Sequence, residues 1–332
     1  MRRGVICGGC WTADRIKVVD VWPGEEELAN IVALDQQGGG SAYNTGIDLR
    51  RMAPDLPVFG IGLVGDDADG QFLFDQATRH GVDTSALQTL PEVRTSFTDV
   101  MSAKTTGKRT FFHYTGANDH LTPDHFHFDN TTANILHLGL LGVHACLDSS
   151  WQHEANGWVA VLKKAQAAGL HTNIEMVSID PYRNRELCLP CLPYLDTLII
   201  NDHEAGGLVC MDTLVDGVTN VAACEQAART LLGLGAMQQV IVHYPTGAVC
   251  ISRDHTVLRT NAFHVPPELV KSAVGAGDAF TAGMLYGIHE HWSLEQSLEL
   301  AHAAAAASLR SPTTVGSVES VDECLAFARS LS

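Results

Sequence analysis

The sequence of 332 residues has few basic side chains: 21 lysines and arginines stand against 38 aspartates and glutamates, which gives a formal net charge of −17. A surface this acidic repels a polyanionic backbone, so nucleic acid is not expected as a partner. Charged residues make up only 18% of the chain and apolar residues 45%. That composition excludes a largely disordered chain, and the length allows one large α/β domain or two smaller ones.

Long hydrophobic runs are missing as well. The longest apolar stretches, residues 58–64 and 135–141, are far shorter than the ~20 residues of a transmembrane helix, so no membrane partner is expected. Arg2 and Arg3 are not followed by a long apolar stretch, which does not fit a signal peptide. The nine cysteines are an odd number and suit free thiols in a reducing compartment. We therefore expect a cytoplasmic protein.

The sequence does contain an alternation of short apolar strands with longer amphipathic helices, which is typical of parallel βαβ units. Two stretches interrupt it. Residues 15–34 are predicted to form extended segments around a loop, and residues 95–114 a hairpin that turns through 105–107. These pieces predict a small sheet that stands apart from the α/β body. Helices are predicted at 70–80, 151–168, 221–234, 276–289, 294–309 and 321–331.

Residues 60–65 (GIGLVG) match the glycine pattern of a dinucleotide-binding loop. That loop requires a strand that ends at the first glycine and a helix that begins at the third. Here an apolar strand continues through all three glycines, and the charges of Asp66 and Asp67, which follow, would repel a pyrophosphate. The pattern therefore does not predict a nicotinamide cofactor.

Residues 275–278 (GAGD) carry the strongest chemical signal in the sequence. Two glycines separated by one small residue allow close backbone approach, and a helix follows at once, so free backbone N–H groups predict an anion site. Asp278 has two interpretations. It caps the helix N-terminus, or it takes a proton from a hydroxyl while the neighbouring amides hold a phosphoryl group. The residues alone leave both roles open.

Four segments, in this order along the chain, resemble the ribokinase-like sugar kinases, the pfkB carbohydrate kinase family. They are residues 39–44 (GGSAYN), 62–70 (GLVGDDADG), 201–205 (NDHEA) and 275–278. The resemblance extends over residues 5–331. It implies an α/β protein with a three-layer α/β/α core, a mostly parallel sheet and a small β-sheet lid. The implied core comprises residues 1–12, 38–92 and 118–332, and the implied lid comprises residues 13–37 and 93–117.

The resemblance also implies catalytic and acceptor-binding residues. Asp278 would be the catalytic base, and the backbone of Gly275, Ala276 and Gly277 would be the anion hole for the transferring phosphoryl group. A further set would contact the acceptor hydroxyls, although its aspartate and glycines also suit plain turns. These residues are Asp14, Gly39, Gly40 and Asn44.

Nucleotide-binding residues follow from the same resemblance. Asn201 and Glu204 would hold Mg²⁺ and phosphates through water, Glu204 being the indirect metal ligand. The same pair also suits a helix cap with an exposed glutamate. His243 and Gly247 would line the nucleotide phosphates. ATP and Mg²⁺ are therefore the expected cofactors, because the charge of a transferring phosphoryl group must be neutralised.

Three departures from the family pattern concern the ligands. Ser272 and Ala273 replace the usual Asp-Thr, which removes a carboxylate associated with a monovalent-cation site and leaves potassium activation open. His243 to Pro245 replace the usual Thr-x-Gly, and because proline lacks an N–H, the phosphate contacts must differ. Glu175 stands where family members that act on acidic keto-sugars carry an arginine.

Glu175 disfavours an acidic substrate, because two carboxylates would face each other. It is therefore a candidate acceptor-binding residue, and the alternative is a strand-end glutamate that faces solvent. The expected activity is ATP-dependent phosphorylation of a primary hydroxyl of a neutral sugar. An adenosine-type nucleoside kinase and a non-catalytic sugar-binding paralogue are the alternatives. A homodimer through the lid is also expected, because a small sheet leaves exposed edges.

Overall fold

In the computed structural model, which describes residues 2–106 and 108–331, the chain forms fifteen strands and nine helices. Three residues that the predictions include lie outside the described residues. They are Met1 and Ser332, at the ends of the implied core, and Gly107, in the predicted hairpin turn. The strands are β1 (Val5–Gly9), β2 (Thr12–Val19), β3 (Ile31–Gly39), β4 (Val58–Gly65), β5 (Asp83–Leu90), β6 (Phe97–Ala103), β7 (Arg109–Tyr114), β8 (Ile135–Leu141), β9 (His171–Met176), β10 (Thr197–Asn201), β11 (Leu214–Val215), β12 (Val218–Thr219), β13 (Gln239–Tyr244), β14 (Gly247–Ser252) and β15 (Val257–Asn261). The helices are α1 (Ser41–Met52), α2 (Ala68–Arg79), α3 (Gly157–Ala167), α4 (Pro181–Cys188), α5 (Asp202–Val209), α6 (Val221–Leu234), α7 (Ala276–His289), α8 (Leu294–Ser308) and α9 (Val321–Ser330).

Nine strands form one large sheet in the order β15-β14-β13-β10-β9-β8-β1-β4-β5. The strands from β13 to β5 run parallel, and β14 and β15 add antiparallel at one edge. Strand β1, in the middle, is buried at every residue. Helices cover both faces of such a sheet, which is why its inner strands are continuous apolar runs. The predicted mostly parallel sheet is confirmed.

Two apolar clusters lie on the two faces of the large sheet. Helices α3 to α6 contribute to one cluster, which includes Trp158 and Leu231. The other contains residues of α1, α2, α7, α8 and α9, together with Trp11 and Phe280. The chain therefore has the predicted three-layer α/β/α core. No helix in residues 2–106 or 108–331 is long and apolar enough to cross a bilayer.

The two segments that interrupt the alternation form a second sheet, in the order β3-β2-β6-β7. Strand β2 pairs antiparallel with β3 and parallel with β6, and β6 pairs antiparallel with β7. The predicted small sheet is confirmed, with one parallel pairing that the sequence does not predict. We call it the lid. The Phe97 and Tyr114 rings pack 5.2 Å apart within it, so these lid aromatics pack partly on the lid itself.

Most of the predicted helices agree with the structure to within two residues at each end. The exception is α3, which begins at Gly157 rather than at 151 because the Asn156 side chain caps it by accepting a hydrogen bond from Val159 N. Helices α1, α4 and α5 are missing from the predictions. Helix α1 buries polar residues such as Asn44 and Asp48, which hides its apolar periodicity.

Strand β4 runs through Gly60, Gly62 and Gly65, as the sequence indicates. A Cβ on Gly60 would lie 2.6 Å from Cζ2 of Trp11, so this glycine makes room for a core aromatic ring. Helix α2 begins only at Ala68, with Asp67 as its cap. The geometry is therefore not that of a dinucleotide-binding loop, in which the helix begins at the third glycine.

Helices α7 and α8 make a close contact at Gly283. A Cβ on Gly283 would lie 2.6 Å from Cα of Ala301, a backbone atom that no rotamer change can move away. Because α7 carries the GAGD segment at its N-terminus, this contact helps to fix the position of that segment.

Gly283→Ala is expected to lower the free energy of unfolding by about 1–3 kcal/mol, because overpacking pushes the two helices apart. Gly233 in α6 is the matched control, since nothing lies within 4 Å of its Cβ position. Gly233→Ala should be neutral or should stabilise by up to ~1 kcal/mol through helix propensity. Urea denaturation measures both changes, and equal effects at the two positions would contradict the packing argument.

Candidate active site

The predicted site residues lie around the carboxyl ends of the parallel strands, where open α/β sheets bind ligands. Asn201 ends β10, and Glu175 is the last residue but one of β9. Gly275 precedes α7 with a φ of 85°, in the left-handed region. A Cβ on Gly275 would also lie 2.5 Å from the carbonyl oxygen of Thr314, so both the backbone conformation and the available space require glycine here.

The N-terminus of α7 is open. Within the described residues, no side chain caps it. A Cβ on Gly277 would meet only the His243 ring, with Cε1 at 3.6 Å, an ordinary contact distance. The protein itself therefore does not fill the space next to Gly277. Of the first-turn N–H groups, that of Ala276 donates only a long hydrogen bond, 3.4 Å, to Ala273 O. These N–H groups and the positive end of the helix dipole make this space suitable for an anion.

Asp278, in the first turn of α7, is held from another helix. Asn44 Nδ2 on α1 donates a hydrogen bond to Asp278 Oδ2 at 2.8 Å. Thr314 Oγ1 donates in turn to Asn44 Oδ1 at 2.9 Å, which fixes the orientation of the amide. The interpretation of Asp278 as a helix cap does not fit this arrangement, because its carboxylate bonds to a side chain outside its helix.

Glu175 lies beside Asp278, and the alternative of a glutamate that faces solvent is wrong. Only 15% of its side chain is exposed, and its Oε2 lies 3.3 Å from Nε2 of His137. Burial raises the pKa of Glu175 to about 8. Burial and the neighbouring charge of Glu175 also raise the pKa of Asp278 well above its usual range.

Asp14 faces the same space from the lid side. It lies within β2, paired with Gln37 of β3 and Thr98 of β6, so the turn interpretation of this residue is wrong. Its carboxylate contacts the position that a Cβ on Gly39 would occupy. Burial raises the pKa of Asp14 to about 6, and the charge of Asp278 contributes. Asp14 and Asp278 are therefore close enough to interact electrostatically.

The predicted glycines lie at the junction of β3 and α1. Gly39 is the last residue of β3, and Gly40 is the N-cap of α1 with a φ of 87°. A Cβ on Gly40 would clash with the carbonyl oxygen of Cys10. Gly40 therefore serves a tight turn, as the alternative interpretation holds, and this turn directs α1 so that Asn44 reaches Asp278.

Asn201 and Glu204 form a capping box at the start of α5, in agreement with the alternative interpretation. Asn201 Oδ1 accepts from Glu204 N at 2.8 Å, and Glu204 Oε2 accepts from Asn201 N at 3.1 Å. The expected exposure of Glu204 is wrong, since only 8% of the residue is exposed. Burial raises the pKa of Glu204 to about 7. In the part of the chain that the structure describes, no three or more His, Cys, Asp or Glu residues form a metal-binding group.

A cavity of about 530 Å³ adjoins the N-terminus of α7. The His243 ring packs against Phe280 at 4.9 Å, and Phe280 packs against His302 at 5.2 Å. Burial lowers the pKa of His243 to about 4, so the imidazole is neutral near pH 7. The cavity thus brings Asn201, His243 and Gly247, which are predicted for the nucleotide, together with Ala276 and Gly277 of the predicted anion hole. Glu204 and Gly275 are not among the residues that line it.

The sequence analysis does not single out several residues that support the site. His137 on β8 and Asn173 on β9 are fully buried beside Glu175, and Thr314 orients Asn44. A signal exists for the first two, because each is a polar residue inside an otherwise apolar strand. No local pattern identifies Thr314, which follows α8 and reaches the site only through tertiary packing.

Comparison with known proteins adds independent information. The model of the pfkB family of carbohydrate kinases matches residues 5–321. A 5-dehydro-2-deoxygluconokinase of Clostridium botulinum (strain Eklund 17B / Type B) is 25% identical over 305 residues, which cover 88% of this chain and 84% of that protein.

Solved structures show the same architecture. The Arabidopsis thaliana ribokinase complexed with ribose and ATP has a TM-score of 0.82 at 21% identity and 99% coverage of both chains. The Methanocaldococcus jannaschii nucleoside kinase, an archaeal member of the ribokinase family, has a TM-score of 0.77 at 17% identity, with 99% of this chain and 98% of that chain covered. These likenesses establish the ribokinase fold, and the family match covers nearly the whole sequence. The chain therefore belongs to the pfkB family of carbohydrate kinases.

Proposed function

We propose that this kinase transfers the γ-phosphoryl group of ATP to a primary hydroxyl of a neutral sugar, with Asp278 as the general base. One observation carries the proposal. The half-buried Asp278 carboxylate accepts a hydrogen bond from Asn44, one of the side chains proposed to bind the acceptor, and lies in the first turn of α7, whose N-terminus is open. A base in that position can take a proton from a hydroxyl while the adjacent amides hold the group that the hydroxyl attacks.

The acceptor is proposed to bind between the lid and α1. Asp14 would accept hydrogen bonds from sugar hydroxyls, and the backbone at Gly39 and Gly40 lies directly beside it. Asn44 holds Asp278 in place. Movement of the lid over the bound acceptor would exclude water, which otherwise competes as an acceptor of the phosphoryl group.

The residues fit a nucleoside triphosphate and Mg²⁺. The cavity of about 530 Å³ beside α7 falls in the size range of small-molecule sites. The open space at Gly277 would receive the γ-phosphoryl group, with the amides of Gly275, Ala276 and Gly277 as donors. Asn201 and Glu204 offer the oxygen ligands that Mg²⁺ prefers, through its bound waters. Bound Mg²⁺ would neutralise the phosphate charge during transfer.

The charge of the site supports a neutral acceptor. The name of the clostridial relative refers to a gluconate derivative, which carries a carboxylate. In this chain, the carboxyl groups of Glu175, Asp278 and Asp14 would face such a substrate, and like charges in a buried site are unfavourable. A nucleoside is the second neutral class to include in any substrate panel.

Asp278→Asn is expected to lower kcat by about 10²–10⁴-fold, because it removes the proton acceptor. An ADP-release assay with neutral sugars, nucleosides and a gluconate identifies the best acceptor and measures the loss. Asp48→Asn is the matched control, since Asp48 is a fully buried acid on α1 that the proposed mechanism does not use. Full turnover by Asp278→Asn would rule out the proposed base, and a preference for nucleosides or for the gluconate would overturn the substrate class.

Alanine substitutions at Gly275 and Gly277 are expected to distinguish an effect on stability from an effect on anion binding. Gly277→Ala should leave the free energy of unfolding within about 1 kcal/mol of the unaltered protein, since its Cβ has room. The added methyl group would occupy the proposed phosphoryl position and lower kcat/KM for ATP. Gly275→Ala should destabilise the fold by about 1–3 kcal/mol, because its φ is positive and its Cβ clashes. Denaturation and steady-state kinetics test both, and unchanged kinetics in Gly277→Ala would contradict the anion-hole assignment.

We also propose that two copies associate through the lid, whose outer strands β3 and β7 expose apolar side chains including Val32, Leu34 and Phe112. Leu34 is 73% exposed, and Leu34→Lys is expected to shift a dimer toward monomers in sedimentation-velocity runs. Val218 on β12, outside the lid, is 70% exposed and serves as the control, so Val218→Lys should leave the sedimentation unchanged. A monomer for the unaltered protein at micromolar concentration would disprove this association.

A further inference from the structure

Two acidic side chains, Glu175 and Asp278, lie in the candidate active site, whereas the proposed mechanism uses only Asp278 as a base. Glu175 and Asp278 face the same space. Glu175 Cβ and Ser41 Oγ both lie next to the Cβ position of Gly139, and Ser41 begins α1, from which Asn44 bonds to Asp278. Burial and the charge of Glu175 both raise the pKa of Asp278. Two carboxyl groups that face the same half-buried space cannot both ionise readily, since each charge disfavours the other. Glu175 therefore affects the protonation of Asp278 directly.

A second buried pair lies beside Glu175. Asn173 Nδ2 donates to His137 Nδ1 at 2.9 Å, and the β8–β9 register sets these residues side by side. The amide nitrogen can only donate, so Nδ1 must accept and the ring proton resides on Nε2. That nitrogen lies 3.3 Å from Glu175 Oε2. Burial lowers the pKa of His137 to about 4, so it faces Glu175 as a neutral ring near pH 7.

Gly139 lies beside both Glu175 and Ser41. A Cβ on Gly139 would lie 3.4 Å from Cβ of Glu175 and would clash with Ser41 Oγ. On the opposite side, Asp278 is fixed by Asn44 and Thr314. A continuous series of polar groups therefore leads from β9, through the two carboxyl groups, to the segment after α8.

We propose that Glu175 is a positioning residue that makes Asp278 a stronger base: its carboxylate accepts a hydrogen bond from the proton that Asp278 has taken from the acceptor hydroxyl. The His137 ring, oriented by Asn173, packs beside that carboxylate. The inference rests on the proposed function. As the acceptor O–H bond breaks, its oxygen bonds to the γ-phosphorus, the bond from that phosphorus to the ADP oxygen breaks, and Asp278 takes the proton. The shared proton leaves to solvent before the next cycle.

The expected consequence is a shifted pH dependence. Burial and the Glu175 charge both raise the pKa of Asp278, so Asp278 is free to accept a proton only at a higher pH than an ordinary carboxylate. Other titratable groups face the pair, and their protonation adds to the profile without removing the effect of Glu175. They are Cys7, Cys10, Asp14, Asp48 and Glu204.

The test is the pH profile of kcat/KM for Glu175→Gln, measured with the best acceptor at saturating Mg-ATP. The substitution removes the like charge, so the acidic limb should move to lower pH by about one unit or more, and the plateau rate should fall because Asp278 becomes a weaker base. Glu175→Asp, which keeps the charge, should return the limb toward its original position. Glu225→Gln, which removes an acid on α6 that pairs with Arg229 and Arg259, should leave it unchanged.

The outcomes separate this inference from the proposed function. If Asp278→Asn is inactive but Glu175→Gln loses rate without moving the acidic limb, Glu175 has only a structural role and the inference is overturned. If Asp278→Asn keeps its turnover, the proposed base fails instead. Should Glu175→Gln not fold, infrared difference spectra of the unaltered protein against Asp278→Asn decide the matter. A protonated carboxyl signal from the pair at pH 7 supports the inference, and its absence refutes it.

Discussion

The hydrogen bond from Asn44 to Asp278 joins the two halves of the site, and much of the local structure serves to hold it. Asn44 is in the first turn of α1, whose direction is set by the turn at Gly40 directly after the lid strand β3. Asp278 is in the first turn of α7, whose start is set by the turn at Gly275. Thr314 contacts both turns, because its hydroxyl orients Asn44 while its carbonyl closes on Gly275. A change at any of these positions therefore alters the proposed base.

The electrostatics of the site refine the meaning of the net charge of −17. Burial raises the pKa of Asp14, Glu175, Glu204 and Asp278, so each of these acids is harder to ionise than a surface carboxyl. The nearby imidazoles of His137 and His243 are neutral for the same physical reason. Positive potential for a phosphate must then come largely from backbone amides, the α7 dipole and a bound cation.

The sequence predicts the fold well because the periodicity of apolar residues reports burial directly. Strands such as β1 and β4 contain only apolar residues and glycine, and a parallel sheet covered on both faces favours that. Helix α1 escapes prediction because its inner face carries Asn44, Thr45 and Asp48, which are buried for reasons that local pattern does not encode. Glu175 shows the same limit. A glutamate at the end of a strand suggests exposure, and only tertiary contacts, which bring His137 and Asp278 beside it, shield it from solvent.

The sequence by itself determined the α/β class, the presence of a separate small sheet, and the GAGD segment with an acid at a helix start. These features depend on neighbours along the chain, so local order is enough to reveal them. The tertiary structure decided which partners the acids have. Asp278 meets Asn44, 234 residues away in sequence, and Glu175 meets His137 across two strands. Such contacts determine whether a carboxyl group caps a helix, faces solvent or interacts with a second carboxyl group. They also determine its protonation, because burial and neighbouring charge set its pKa.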